Sequence, residues 1–304
     1  MERSTVPRCA GRAAGRKRPT MNVDDIVLLE KDGAVARLVL NRPDKGNALP
    51  FDGLDRLVDL LHEAEDDDDV KVIVLEGRGS SFCVGDDFDD IAVAYGHTGA
   101  EPGKRPPRLS QRARLAIDRR LGGAVVAFQN SAKPVIAQVH GHCVGIGLYL
   151  VEVVDLAICA HTTRFSHAEQ RLGLAGNTFQ LATLIVAYGP KKARELLLFG
   201  DQFDGPQAEA IGLVNRSVPD DELEATVAAW AAKVALNAKD ALVMGKAAHA
   251  MALQSLGMSG YVYSGMVSHA LATNVKFEPD DFNFFRSRSD GGTRAAFEAR
   301  DARR

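Results

Sequence analysis

Residues 134–169 read PVIAQVHGHCVGIGLYLVEVVDLAICAHTTRFSHAE, and the fold class turns on how this stretch is built. Residues 134–139 and 154–160 are short apolar runs rich in β-branched side chains, which suits two buried strands. Between them Gly141, Gly145 and Gly147 lead into an apolar segment, 148–153, that reads as a short helix. Glycine at this spacing lets the backbone take positive φ or approach a neighbour without a Cβ clash. Two readings stay open. In one, the turn aims its amides into a pocket at the positive end of the helix, where a developing negative charge is stabilised. In the other, it is a tight connection that only packs. The stretch ends on a carboxylate, Glu169.

Upstream, residues 26–30 and 34–40 are β-rich runs joined by Lys31-Asp32-Gly33, a hairpin signal. The loop NRPDKGNAL at 41–49 follows, and then Leu54, Leu57, Val58 and Leu61 mark one face of an amphipathic helix over 51–65. The acidic run at 65–69 reads as a solvated helix exit rather than a cation site, and 70–75 reads as the next strand. That strand runs into GRGSSFCVGDDF at 77–88, a second glycine turn where an α/β protein commonly places ligand contacts. Residues 95–107 are rich in Gly, Pro and charge and read as a lid or excursion, and helical pattern resumes from 110 towards 128. Downstream, helices are expected at 178–188, from Pro190 to a stop at Gly200, within 221–258 and at 292–300. Strands thus concentrate in the first 160 residues, helices in the rest.

With 304 residues, 46% hydrophobic and 25% charged, the chain is long enough for one large domain or two modest ones. A formal net charge of -3 gives no electrostatic support for nucleic-acid binding outside the N-terminus. That N-terminus carries Arg3, Arg8, Arg12, Arg16, Lys17 and Arg18 against one acid, Glu2, and is expected to be disordered. A transit peptide and an extension upstream of a start at Met21 both fit it. Cys9, Cys83, Cys143 and Cys159 are scattered, with no zinc spacing, as expected of reduced thiols in a cytoplasmic protein. Glu152 and Asp155 interrupt the most apolar region, so no membrane span is expected.

Five stretches taken together resemble the crotonase family, the enoyl-CoA hydratase/isomerase superfamily. They are residues 40–49, 81–88 (SFCVGDDF), 135–155, 165–173 (FSHAEQRLG), and 203–219 through Ala208, Ala210, Gly212, Leu213, Val214 and Val218. The resemblance runs from about residue 25 to residue 300. It implies an α/β fold, a crotonase-like spiral of ββα units with a C-terminal helical trimerisation region. The expected division is a disordered basic tail at 1–22, a CoA-thioester spiral domain at 23–200 and a helical region for assembly and pocket cover at 201–304. The implied partners are an acyl-CoA substrate and further copies of the chain, as a homotrimer or a dimer of trimers, without nucleic acid or membrane.

The resemblance also implies an oxyanion hole made by the backbone N–H groups of Asp86 and Ile146, one on each glycine turn. It places CoA or substrate contacts at Lys45, Ala48, Val84, Gly85, Asp87 and Gly145. No metal and no cofactor is implied, CoA entering as part of the substrate. Hydratases of this family use two glutamates around one water. The second aligns with Glu169 and the first with Tyr149. A phenol with an ordinary pKa near ~10 is a poor base at neutral pH but a good hydrogen-bond donor. Tyr149 is therefore either a pocket group or core filling. Asp86, Ile146 and Leu148 stand where the family keeps smaller residues, which alters the pocket. His140, His142 and His167 flank the turn, and His167 lies near Glu169 in sequence. The expected activity is enoyl-CoA hydration or isomerisation, with Glu169 as general acid and base. The alternatives are C–C bond hydrolysis or a lyase reaction on a β-dicarbonyl or β-hydroxy thioester, or a non-catalytic binding and assembly protein.

Overall fold

A computed structural model describes residues 22–95, 109–257, 260–273, 277–278 and 280–303. The expected tail, up to residue 21, and all of the expected lid beyond Tyr95 lie outside the described residues.

The chain opens with a single turn, α1 (Val23–Ile26), and the expected hairpin. Strands β1 (Val27–Asp32) and β2 (Val35–Leu40) pair antiparallel with Leu29 opposite Leu38. There follow α2 (Phe51–Asp66), β3 (Val72–Gly77), α3 (Phe88–Ala94) and α4 (Gln111–Gln129), the last started by the Ser110 hydroxyl, which accepts from Ala113 N–H. The deciding stretch folds as β4 (Val135–Val139), β5 (His142–Val144), α5 (Ile146–Val151), β6 (Leu156–Ala160) and β7 (Arg164–Ser166). A 3-10 turn over Ala168–Leu172 then leads to α6 (Leu181–Phe199), α7 (Gly205–Ala210), β8 (Arg216–Val218), α8 (Leu223–Ala235), α9 (Lys239–Ser255), α10 (Tyr261–Ala272) and α11 (Phe284–Asp301).

The main sheet runs β1-β2-β3-β4-β6-β8 and is parallel beyond the first hairpin. Strand alternation sorts its side chains to two faces. On one, Ile73, Leu75, Val135 and Ala137 pack with Leu54, Leu57 and Leu61 of α2 and Val125 and Phe128 of α4. On the other, Val72, Val74, Ile136 and Ile158 pack with Val227 and Ala231 of α8. A small parallel sheet joins β5 to β7, with Cys143 opposite Phe165. β4 and β6 are each followed by a short strand and a helical segment, two ββα units of the spiral.

Two differences from the sequence reading have local causes. The short helix starts at Ile146, two residues earlier than expected, because Gly145 supplies its N-cap conformation. As the sequence reading expects, α6 breaks at Gly189 (φ 78°), its second segment starts at Pro190, and Gly200 (φ 62°) closes it. The last helix begins at Phe284, with a break at Gly292 (φ 85°) where the sequence reading started it. The main sheet also takes β8 from beyond residue 200, and α8 covers its second face.

Helix α7 begins with a capping box. Asp204 accepts from Gln207 N–H at 3.0 Å, and the Gln207 side chain accepts from Asp204 N–H at 2.9 Å. Asp204→Ala leaves a first-turn donor without its partner and is expected to cost about 1 kcal/mol of stability, measured by urea unfolding. An unchanged midpoint would mean that water replaces the cap without loss.

Candidate active site

Four loops meet at the ends of the strands and are joined by backbone hydrogen bonds. Phe82 N–H donates to His140 O (2.8 Å), Cys83 N–H to His142 O (3.0 Å) and Val144 N–H to Cys83 O (2.9 Å), which ties the two glycine turns together. Val84 N–H donates to Gly46 O (3.0 Å) and Leu49 N–H to Gly85 O (2.9 Å), which adds the loop after β2. Arg164 N–H donates to Gly141 O (2.7 Å) and brings in β7. Buried Asn47 locks the junction by donating to Arg78 O (2.9 Å) and Ser81 O (2.7 Å).

The two turns touch at their glycines. A Cβ on Gly145 (φ 55°) would lie 3.3 Å from Gly85 Cα, and one on Gly85 (φ 110°) would lie 3.4 Å from Val144 O. Asp86 follows Gly85, and Ile146 opens α5 after Gly145, so both amides named in the sequence belong to this contact. The Ile146 side chain is buried in the core with Leu148, so the extra bulk there fills the interior. Among the other residues singled out, Lys45 is exposed and Val84 is 37% exposed. Ala48 O accepts from Arg42 Nη1 at 2.6 Å. The Asp87 carboxylate is occupied by Arg42 (3.0 Å) and by Asp89 N–H at the start of α3 (3.0 Å). Loop contacts thus bring Lys45, Ala48, Val84, Gly85, Asp86, Asp87, Gly145 and Ile146 together, Asp87 through its N–H to Leu49 O (2.9 Å) while its carboxylate pairs with Arg42.

Glu169, on the 3-10 turn after β7, is 6% exposed, and its Oε1 accepts the hydroxyl of Tyr149 from α5. Tyr149 therefore both fills the core and reaches the site. Glu169 Oε2 is buried and, among the described residues, has no hydrogen-bond partner. Desolvation pushes the Glu169 carboxyl up to about 8, its own backbone N–H working against that and the negative field of Asp86 adding to it. Asp86 is partly accessible as a residue, yet its Oδ1 is sealed from solvent and unpartnered among the described residues. Burial pushes its carboxyl up to about 6, opposed by His269.

The histidines divide clearly. His140 Nε2 sits 2.8 Å from Gly79 O, a structural contact, and His142 is exposed. His167 is buried with Nε2 3.0 Å from Glu152 Oε1, while its Nδ1 lies 3.9 Å from Glu169 Oε2, beyond hydrogen-bond reach. The Glu152 side chain is 1% exposed, and burial raises its carboxyl despite His167. Burial also pushes the Cys83 and Cys159 thiols up to about 12, leaving them un-ionised and poor nucleophiles.

Sequence reasoning missed a second buried group. Asp118 of α4 is fully buried, and its Oδ1 accepts the hydroxyl of Tyr95 (2.7 Å) and lies 3.1 Å from His269 Nδ1 on α10. His269 stacks on Phe179 (centroids 4.2 Å apart), which meets the Tyr149 ring edge-on at 5.9 Å. Glu152 had one readable signal, an acid within the most apolar run, which must find a partner if buried. A cleft of about 350 Å³ lined by Gln138, His140, Thr162, Asp220 and Glu224 includes none of Glu169, Tyr149, Asp86 or Ile146.

A family profile described as enoyl-CoA hydratase/isomerase matches residues 30–276. The peroxisomal Delta(3,5)-Delta(2,4)-dienoyl-CoA isomerase of Arabidopsis thaliana is 32% identical over 63% of this chain and 68% of its own length. A probable enoyl-CoA hydratase of Mycobacterium tuberculosis is 31% identical over 75% of this chain and 77% of its own. The crystal structure of an enoyl-CoA hydratase/isomerase from Xanthobacter autotrophicus Py2 superimposes with a TM-score of 0.81 at 28% identity, covering 92% of this chain and 98% of that one. The spiral, the joined glycine turns and matches along most of each chain lead to one conclusion: this chain belongs to the enoyl-CoA hydratase/isomerase family.

Proposed function

We propose that the protein hydrates or isomerises an enoyl-CoA thioester through an enolate, with Glu169 moving the proton at the α-carbon. The observation that carries this is a buried carboxyl held near neutral pH, hydrogen-bonded by Tyr149 at one oxygen and unpartnered among the described residues at the other. A carboxyl tuned close to the working pH serves as acid in one direction and base in the other. The thioester carbonyl is held by the amides of Asp86 and Ile146 across the Gly85–Gly145 contact, and the enolate charge develops there. One such donor is typically worth about 3 to 4 kcal/mol of transition-state stabilisation. Lys45, Ala48, Val84, Gly85 and Gly145 surround the CoA end of this path. These steps move only protons and a hydroxyl, so no metal or redox cofactor enters the proposal.

We extend the proposal to assembly as a homotrimer or a dimer of trimers. No described residue of α9 is buried, and Met244 and Met251 on it are each 67% exposed, with Leu256 just beyond at 71%. An apolar helical face of this kind supports burial against another copy.

Product analysis tests the activity. Incubation of 2-enoyl, 3-enoyl and 3,5-dienoyl thioesters in H218O is expected to give a labelled 3-hydroxyacyl-CoA or a shifted double bond. A β-keto thioester split by water into a carboxylic acid and a shorter acyl-CoA, with the enoyl thioesters left unchanged, would instead favour C–C hydrolysis. Tyr149→Phe probes the Glu169 contact. A hydroxyl donated to a carboxylate favours its ionised form, so the variant raises the Glu169 carboxyl further and moves the alkaline fall of activity to higher pH. A lost bond to a charged group, about 1.5–3 kcal/mol, predicts a roughly tenfold to hundredfold lower kcat. An unchanged pH profile would mean that the contact has no part in turnover.

A further inference from the structure

Asp86 has a feature that the oxyanion role leaves unexplained. That role uses only the backbone amide, which alanine or glycine would supply equally. A carboxylate with one oxygen sealed from solvent and unpartnered among the described residues costs stability, so its side chain calls for a separate reason. Its position suggests one. Asp86 Oδ2 lies 4.0 Å from where a Cβ on Gly145 would sit, so the carboxylate leans over the start of α5. Tyr149, whose hydroxyl meets Glu169, comes four residues after Gly145, about 6 Å along the helix axis at 1.5 Å per residue. Asp86 thus faces the start of α5 while Glu169 contacts Tyr149 one turn on, and each carboxyl lies within the other's field.

We propose that Asp86 is the second acid–base group of this site, handling the proton that is not on the α-carbon. The inference rests on the enolate reading above. In the conversion of a 2-enoyl to a 3-enoyl thioester, the Asp86 carboxylate takes the γ-proton. The C–H electron pair flows into the dienolate, and the Glu169 carboxylic acid protonates the α-carbon and restores the carbonyl. Asp86 ends neutral and Glu169 ionised, and one proton passed through solvent resets the pair. In hydration, water takes the place of the γ-carbon: its oxygen bonds to the β-carbon as Asp86 takes its proton. In either case Asp86 loses its charge as the enolate gains one, so the pocket never holds both.

The groups whose fields couple to Asp86 come from each neighbouring element. Glu169 lies on the 3-10 turn, Tyr95 follows α3, Cys83 is on its own loop and His269 is on α10. His269 and Asp86's own backbone N–H favour the ionised form, and Asp118 lies 3.1 Å from the histidine Nδ1. Activity should therefore rise as Asp86 ionises near pH 6 and fall as Glu169 ionises near pH 8.

The test compares Asp86→Asn with wild type in two assays, net turnover of an enoyl thioester and α-proton exchange of a saturated one in D2O. Asparagine keeps the amide and the volume. Net turnover is expected to fall about 10²–10⁴-fold, the usual worth of a general base. The ratio of turnover to exchange falls at least about tenfold, because exchange needs only Glu169, and the acidic limb of the pH profile disappears. His269→Gln, a second variant, keeps that limb but moves it to higher pH. An unchanged ratio with the acidic limb intact overturns the inference and leaves the enolate reading standing. Absence of α-exchange in the wild type overturns the enolate reading itself.

Discussion

Glu169→Gln is expected to lower kcat by about 10³–10⁴-fold, at the upper end for a general acid–base group, while acyl-CoA still binds. Glutamine keeps the volume and an oxygen that accepts the Tyr149 hydroxyl, so the site stays built and only the proton carrier is lost. Near neutral pH the wild-type carboxyl is mostly protonated, so the substitution also preserves charge. This gives a stability signature that a mere loop carboxylate lacks. A carboxyl raised to about 8 in the folded state keeps its proton from the ordinary carboxylate range up to that pH, while the unfolded chain releases it. Wild-type stability relative to the variant therefore falls as pH rises through this window and levels off above it. Thermal unfolding from pH 4 to 9 reads the difference. Equal activity, or a pH-independent difference in Tm, would contradict a buried catalytic carboxyl at this position.

Gly141→Ala should damage the scaffold rather than the chemistry. Gly141 has φ 59°, and a Cβ there would stand 1.9 Å from Ser80 O. Ser80 belongs to the other glycine turn, and the obstacle is backbone, so no side chain can swing away. A left-handed alanine costs about 1–2 kcal/mol and overpacking typically another 1–3, for a total of about 2–5 kcal/mol. Relief comes only by parting the loops joined by the Phe82–His140 and Cys83–His142 bonds, which carry the Asp86 and Ile146 amides proposed to hold the thioester carbonyl. A Tm lower by several degrees and a large loss of kcat/KM are expected together. A variant with wild-type Tm and activity would show that the two turns are not held as closely as described.

Legibility in the sequence followed the range of the forces involved. Strands β3, β4 and β6 carry mainly apolar runs because both of their faces are buried. Helix α2 carries its apolar face at helical spacing, and the Asp32-Gly33 turn announced the first hairpin. The three-residue strands β5, β7 and β8 have no pattern of their own, since each exists only through its pairing partner. Family resemblance drew attention to Glu169, Tyr149 and the glycine turns because these sit in contiguous motifs. The Asp118–His269 contact joins residues 151 positions apart on two helices with no local signature, and Tyr95 reads as the edge of a loop. Their meeting is a product of tertiary packing, and so is the burial that moves Asp86 and Glu169 away from ordinary carboxyl behaviour.

The most direct measurement of the central claim is α-proton exchange by the wild-type protein. A saturated acyl-CoA whose binding is established by calorimetry is incubated in D2O with the enzyme, and deuterium in the recovered thioester is read by mass spectrometry. Enolate formation between the two amides and Glu169 predicts one deuterium at the α-carbon, introduced stereospecifically. A thioester that binds yet returns without deuterium would contradict it.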